Sequence, residues 1–365
     1  MQQKSRLYQI DLFRFFAAVY VLFFHYGFRA HVTEINGPDY GFLSPFFQYG
    51  YLGVDLFFII SGFVILMSAQ NTNLVGFIIS RISRLYPAYW VGIILTTITI
   101  VLFGTDLFSI GWKQFLINLT MFQSFVGVPH IDGVYWSLAI ELKFYFLIAL
   151  LLFFKKIKHI KVLGILLLSI SLCSLIVPYA STPIYLKLLY FVTFPKWSPY
   201  FVAGMFMFLL NKDKENKWNY IFVLISFLLS LQHSLLRGEE LELKYGAAFN
   251  DWAIIVIVAF SYLAMFLVAF GKLKTINKKG YLRLGVLTYP LYLIHQNIGY
   301  IAMNYFSSMN KWVLLLLLTI ITILISYLIS KYIETPLGKS LRKCLKESTT
   351  LTRFSNKLDK LLLKL

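Results

Sequence analysis

The stretch IDLFRFFAAVYVLFFHYGF, residues 10–28, decides the fold. It is a long apolar run interrupted by one cation, Arg14, and one titratable base, His25. The two lie eleven residues apart. At 100° per residue that is about three helical turns, so both side chains fall on one face, about 16 Å apart along the axis. Ionisable groups at two depths of one membrane helix are unfavourable unless they face a polar interior. The pair reads as two stations on a path across a bilayer: an anchor for an anionic donor, and a base.

Composition puts the whole chain in the same setting. Its 365 residues are 59% hydrophobic and 14% charged, with a mean hydropathy of +0.72. No soluble domain of this size reads that way. Aromatic residues at 18% suit interfacial belts. The net charge of +18 would fit nucleic acid, but the charges sit in short runs between apolar segments, which argues against that partner. Cys173 lies in an apolar span and Cys344 in the tail, so neither a disulfide nor a thiolate metal cluster is expected. Arg14 interrupts the first apolar run and no small-residue cleavage site follows it, so this run reads as a retained span.

An all-α polytopic membrane protein follows, with about ten transmembrane helices. The segments near 8–28, 50–68, 85–103, 136–154, 162–180, 197–211, 218–236, 252–270, 284–304 and 312–332 are long enough, or nearly so, to cross about 30 Å of hydrocarbon. The sixth is the shortest. With the N-terminus inside, 25 Lys and Arg fall in inner segments and 7 in outer ones, while Arg14 and Lys143 lie within spans. That asymmetry places both termini in the cytoplasm and the protein in the cell's inner (cytoplasmic) membrane. The domain reading is a transmembrane domain over 1–334 and a basic cytoplasmic tail over 335–365. The tail's last stretch, LDKLLLKL, is amphipathic and suited to an anionic leaflet. The loop at 104–135, with Asp106, Trp112, His130 and Asp132, is long enough to fold partly back into the membrane.

Polar residues within spans sort by depth. Arg14, Arg81 and Arg84 lie near the inner boundary, His25, Asp55 and Glu141 toward the outer third, and His295 near the middle of the ninth span. Inner arginines can hold phosphate bidentately. An outer imidazole can take a proton at neutral pH, helped by a carboxylate that orients it. The layout suits group transfer from inside to outside. Each residue also has a plainer reading. Arg14 can pair with Asp11, Glu141 with Lys143, and Asp55 with an arginine. Arg81 and Arg84 can be positive-inside anchors. Tyr292 and His295 can be core or can line an acyl passage. Trp136 reads as an interfacial anchor, and His31, His130, His159 and His233 receive no role. No Gly-rich phosphate loop, His-Glu-x-x-His motif or nucleophile elbow is present, so no metal is expected.

Six stretches together resemble the membrane-bound acyltransferase 3 family. Residues 10–28 resemble its opening, Arg, ten residues, then His. GYLGVDLFFIISGFVI at 50–65 is similar to its second span, and RISRLYPAYW at 81–90 to the arginine-rich start of its third. VYWSLAIELKFYF at 134–146 is similar to its Trp-Ser-Leu then Glu motif, while LTYPLYLIHQ at 287–296 and IETPLG at 333–338 resemble its closing pair. The resemblance implies an O-acyltransferase that moves an acyl group, usually acetyl, from cytoplasmic acyl-CoA to a hydroxyl of an extracytoplasmic glycan, such as a surface polysaccharide or O-antigen. It matches Arg14 and His25 to the family's essential pair, Arg81 and Arg84 to its basic pair, and Glu141 to its fourth-span carboxylate. The expected assignment is therefore His25 and Glu141 in catalysis, Arg14, Arg81 and Arg84 at acetyl-CoA, and Asp55, Tyr292 and His295 as further candidates. Expected partners are acyl-CoA, a glycan or lipid-linked sugar, and the lipid bilayer. Some members carry an appended esterase-like domain with a second nucleophile. Here the chain runs about 30 residues past the last span, so the transfer is expected within the membrane domain or with a partner. The competing reading is a transporter or exporter of a glycan or lipid-linked intermediate, for which inverted repeats of broken helices would speak; no clear pair is visible.

Overall fold

The structure, a computed structural model, describes residues 6–33, 35, 37–104, 107–177 and 182–348. Among these there is no strand. Eight helical segments are long and apolar enough to cross a membrane: Tyr8–Val32, Gly41–Ala69, Leu74–Phe103, Gly133–Phe153, Ile157–Ile176, Lys217–Tyr245, Asp251–Ala269 and Lys311–Glu347. The helices within them are α1 (Tyr8–Phe24), α2 (Gly53–Ala69), α3 (Leu74–Phe103), α5 (Trp136–Phe153), α6 (Ile160–Ile176), α8 (Lys217–Tyr245), α9 (Asp251–Ala269) and α11 (Lys311–Ile329). Two further helices, α7 (Ser198–Lys212) and α10 (Leu282–Tyr305), fill the interior. The short α4 (Trp112–Asn118) lies in the loop after α3, and α12 (Thr335–Glu347) continues α11 through a π-turn.

The two interior helices differ from the outer ones for a physical reason. A helix that faces lipid must be apolar and long. One screened by its neighbours can be short, as α7 is with 15 residues, or polar, as α10 is with Thr288, Tyr292, His295, Gln296 and Asn297 all buried. Small residues let the backbones meet. A Cβ on Gly62 of α2 would land on the carbonyl of Phe201 in α7, and a Cβ on Gly204 of α7 would land on the carbonyl of Ile59 in α2. Gly204→Val therefore forces the two helices apart. It is expected to lower stability by about 3 kcal/mol, read as a drop in thermal unfolding temperature of the detergent-solubilised protein.

Several boundaries differ from the sequence reading. Helix α3 begins at Leu74, not near 85, because Asn73 caps it: its side chain accepts from the Gly76 N–H at 2.9 Å. Arg81 and Arg84 are thus inside the helix. Helix α8 runs to Tyr245 rather than 236, so Arg237 is also a helical, buried residue. The loop after α3 does fold back along it. Tyr86, Tyr89 and Trp90, midway along α3, donate to the carbonyls of Thr120, Asn118 and Leu119 at 2.7, 2.9 and 3.0 Å. Asp106 lies outside the described residues, as does the LDKLLLKL stretch at 358–365. The first part of the expected tail, α12, lies against α3, with Gly338 close to the Ser83 carbonyl.

Helices α1 and α10 run side by side in the same direction, Gly285 meeting Asp11 near their starts and Gly299 meeting Tyr26 near their far ends. This parallel pair positions the site. At the far end α1 widens into a π-turn, His25–Arg29. Such turns re-aim side chains and recur at functional sites.

Candidate active site

A cavity of about 580 Å³ opens between α1, α2, α3, α5 and α10 at the end where α1 begins. Arg6, Arg14, Arg81 and Arg84 line it, against two carboxylates, Asp11 and Glu141. The excess positive charge, partly enclosed by apolar walls such as Val54, Phe57 and Leu138, draws and holds an anion. Arg6 takes Asp11 through Nη2 and Nε at 2.9 and 3.2 Å. The expected Asp11 partner of Arg14 is thereby engaged elsewhere, and Arg14 is left facing the cavity. The Arg81 guanidinium sits over the rings of Phe77 and Tyr145, 5.6 and 5.7 Å from their centroids, with its Nε buried and without a hydrogen-bond partner among the described residues.

Glu141 also belongs to this cavity. Its Oε1 accepts from the Ser61 hydroxyl at 2.7 Å. Lys143, the other partner considered for it, sits on the face of Phe191 at 3.8 Å. The structure does not bring Glu141 to His25, because Glu141 is on the cavity wall while His25 lies past its ceiling. That ceiling is Tyr292. The hydroxyls of Tyr292 and Ser137 hydrogen-bond each other at 2.7 Å, and both reach the carbonyl of Val134, at 3.1 and 3.2 Å.

Beyond Tyr292 lie two imidazoles. The His295 ring is 5.8 Å from that of Tyr292 and 5.0 Å from that of His25. His25 Nδ1 and the Tyr300 hydroxyl are 2.8 Å apart. The Tyr26 hydroxyl donates to the His295 carbonyl at 2.7 Å, which ties α1 to α10 at this depth. The loop before α5 closes the far side. Asp132 accepts from the Asn297 and Val134 N–H groups at 2.9 and 3.1 Å, and Arg29 donates to Gln296 at 3.1 Å. Burial pushes the Asp132 carboxyl up to about 6, against the pull of those two N–H groups and the Arg29 charge.

Asp55 has the arginine partner considered for it. Arg237 of α8 grips it bidentately, Nη1 to Oδ1 at 3.0 Å and Nη2 to Oδ2 at 2.6 Å. The guanidinium is sandwiched between Tyr51 and Trp197, 4.6 Å from each centroid. Sequence reasoning missed Arg237, Ser61 and Tyr300. Only Tyr300 left a signal: Thr288, Tyr292, Gln296 and Tyr300 repeat every four residues on α10. Among the described residues no group of three or more His, Cys, Asp or Glu could hold a metal ion.

Fold and site define a multi-pass membrane protein with a partly enclosed cationic cavity and a buried imidazole pair on adjoining helices. Residues 7–331 match the acyltransferase domain of the acyltransferase 3 family, and the chain belongs to that family. It is 30% identical over 166 residues to nodulation protein 10 of Rhizobium leguminosarum, covering 39% of this chain and 43% of that one. It is 33% identical over 147 residues to the peptidoglycan O-acetyltransferase OatA of Listeria monocytogenes, 34% of this chain and 24% of that one. It is 28% identical over 331 residues to the O-acetyltransferase OatA of Staphylococcus aureus, 80% of this chain and 53% of that one. The chain thus spans about half or less of the length of these relatives. No solved structure gives a significant match.

Proposed function

We propose that the chain is an integral membrane O-acyltransferase that moves an acyl group, acetyl by likeness to its relatives, from cytoplasmic acyl-CoA to a hydroxyl of an extracytoplasmic glycan. The observation that carries this is the division of α1: Arg14 lines the cationic cavity, and His25 lies beyond that cavity's ceiling on the same helix. Arg14, Arg81 and Arg84 hold the phosphates of the donor, for which guanidinium geometry is suited. The acyl-bearing arm then extends toward His25, past Tyr292 and Ser137. His25 takes the proton of the acceptor hydroxyl as the hydroxyl oxygen attacks the thioester. Glu141, bonded to Ser61, offsets the arginines at the donor end. The lysine and arginine asymmetry supports a cytoplasmic donor side, both termini inside, and the inner membrane as the location. Glycan acceptors are supported by the relatives named for O-acetylation of peptidoglycan.

Deleting the gene should remove ester-linked acetyl groups from the cell-surface glycan while its amount and chain length stay the same. Loss of glycan with acetylation intact would instead indicate export. Arg84→Gln should raise the KM for acetyl-CoA about tenfold with kcat little changed, since a hydrogen bond to a charged group contributes about 1.5–3 kcal/mol. Steady-state transfer in inverted membrane vesicles measures this.

A further inference from the structure

The two ring nitrogens of His25 are provided for differently. Nδ1 has the Tyr300 hydroxyl at 2.8 Å. The other nitrogen has no hydrogen-bond partner among the described residues, and the neighbouring ring is His295, edge to face at 5.0 Å. At that spacing a nitrogen of each ring can reach hydrogen-bond distance once the rings turn edge to edge.

Helix α10 fixes the state of His295. Its Nδ1 lies 2.9 Å from the Tyr292 carbonyl and 3.2 Å from that of Leu291. A carbonyl only accepts, so Nδ1 carries a hydrogen, and in the neutral ring Nε2 carries the lone pair. That Nε2 is buried and has no hydrogen-bond partner among the described residues. A buried acceptor left unpaired is destabilising, and Leu or Phe would fill the same space without that penalty. The nearby carboxylate, Asp132, is committed to two backbone N–H groups, and Glu141 lies in the donor cavity, bonded to Ser61. The nearby cation, Arg29, donates to Gln296.

An imidazolium at His25 presents two N–H donors. The Tyr300 hydroxyl can turn from donor to acceptor and serve Nδ1. The lone pair of His295 is the free acceptor in the neighbouring ring, 5.0 Å away centroid to centroid. We propose that His295 is a positioning residue for the acyl transfer: its Nε2 receives the second N–H of His25 while His25 holds the proton of the acceptor hydroxyl. This rests on the function proposed above and assigns to a neutral, tautomer-locked histidine the part a carboxylate usually plays. The step balances. The acceptor oxygen bonds the acyl carbon and gives its proton to the Tyr300 hydroxyl, whose own hydrogen passes to Nδ1 of His25. The carbon–sulfur bond breaks, and the leaving thiolate recovers a proton from His25 through the same hydroxyl to give the free thiol. His295 gains and loses nothing.

The test uses the full chain in lipid bilayers. Nitrogen-15 NMR of histidine-labelled protein, with signals assigned from the His25 and His295 variants, should show His295 protonated at Nδ1 and bare at Nε2. Transfer from labelled acetyl-CoA should fall about 100-fold in kcat for His295→Leu, with the KM for acetyl-CoA unchanged. His295→Gln, whose amide can supply an acceptor near the lost Nε2, should recover at least a tenth of the wild-type rate, which a packing role would not predict. A proton on Nε2 of His295, or a folded Leu variant that turns over at the wild-type rate, would overturn the proposal. If the Leu variant does not fold, the NMR result decides. The NMR measurement needs no turnover, so a wild-type protein that transfers no acetyl group defeats the functional reading separately.

Discussion

His25→Ala should leave acetyl transfer at a thousandth of the wild-type rate or less while acetyl-CoA still binds. The two effects separate because the residues do. A general base contributes about 10²–10⁴ in rate, and its loss is felt in kcat. The arginines that would grip the donor line a cavity whose ceiling is Tyr292, and Arg14 is about 16 Å down the helix axis from His25. Removing the imidazole therefore leaves the donor end intact. Inverted vesicles carrying wild type or variant, labelled acetyl-CoA, and separate measurements of bound nucleotide and transferred acetyl distinguish the outcomes. Equal label transfer by both proteins would remove His25 from the mechanism. Parallel loss of binding and transfer would mean that the widened turn at His25–Arg29, not the base, had been damaged.

What the sequence made legible follows from which signals are local. Arg14 and His25 stand out because each interrupts one apolar run, and helical geometry alone relates them. The brevity of α7 was visible for the same reason. Glu141 was legible as an intramembrane carboxylate, yet its partner was not, because Ser61 is 80 positions away and no period connects them. Arg237 is 182 positions from Asp55 and sits at the end of a helix that outlasts its apolar stretch, so it read as an outer-loop charge. Helix α10 shows a further limit. Hydropathy placed it at 284–304, but could not tell that it is polar because its neighbours screen it from lipid. The tautomer of His295 depends on carbonyls three and four residues earlier, a relation visible only once the ring's rotamer is fixed.

Asp55→Ala should destabilise the bundle by about 3–5 kcal/mol, the usual consequence of stranding one member of a buried ion pair. Arg237 is 7% exposed and Asp55 1%, so water cannot replace the lost carboxylate. The stranded guanidinium would keep its stacking on Tyr51 and Trp197, but stacking does not neutralise it. Replacing both partners with apolar side chains, Asp55→Leu with Arg237→Met, removes the charge along with its counter-charge and should recover most of the loss. Thermal unfolding of the single and double variants in detergent measures this directly. If the single variant is as stable as wild type, the pair does not hold α2 to α8. If the double variant is no better than the single, packing around the pair, not its charge, carries the stability. The pair also bears on chemistry through geometry. Asp55 is two residues before Phe57 and six before Ser61, both on the wall of the cationic cavity. A helix α2 released at Asp55 would therefore disturb the donor end first, and partial unfolding of Asp55→Ala should appear as weakened acetyl-CoA binding before any change at His25.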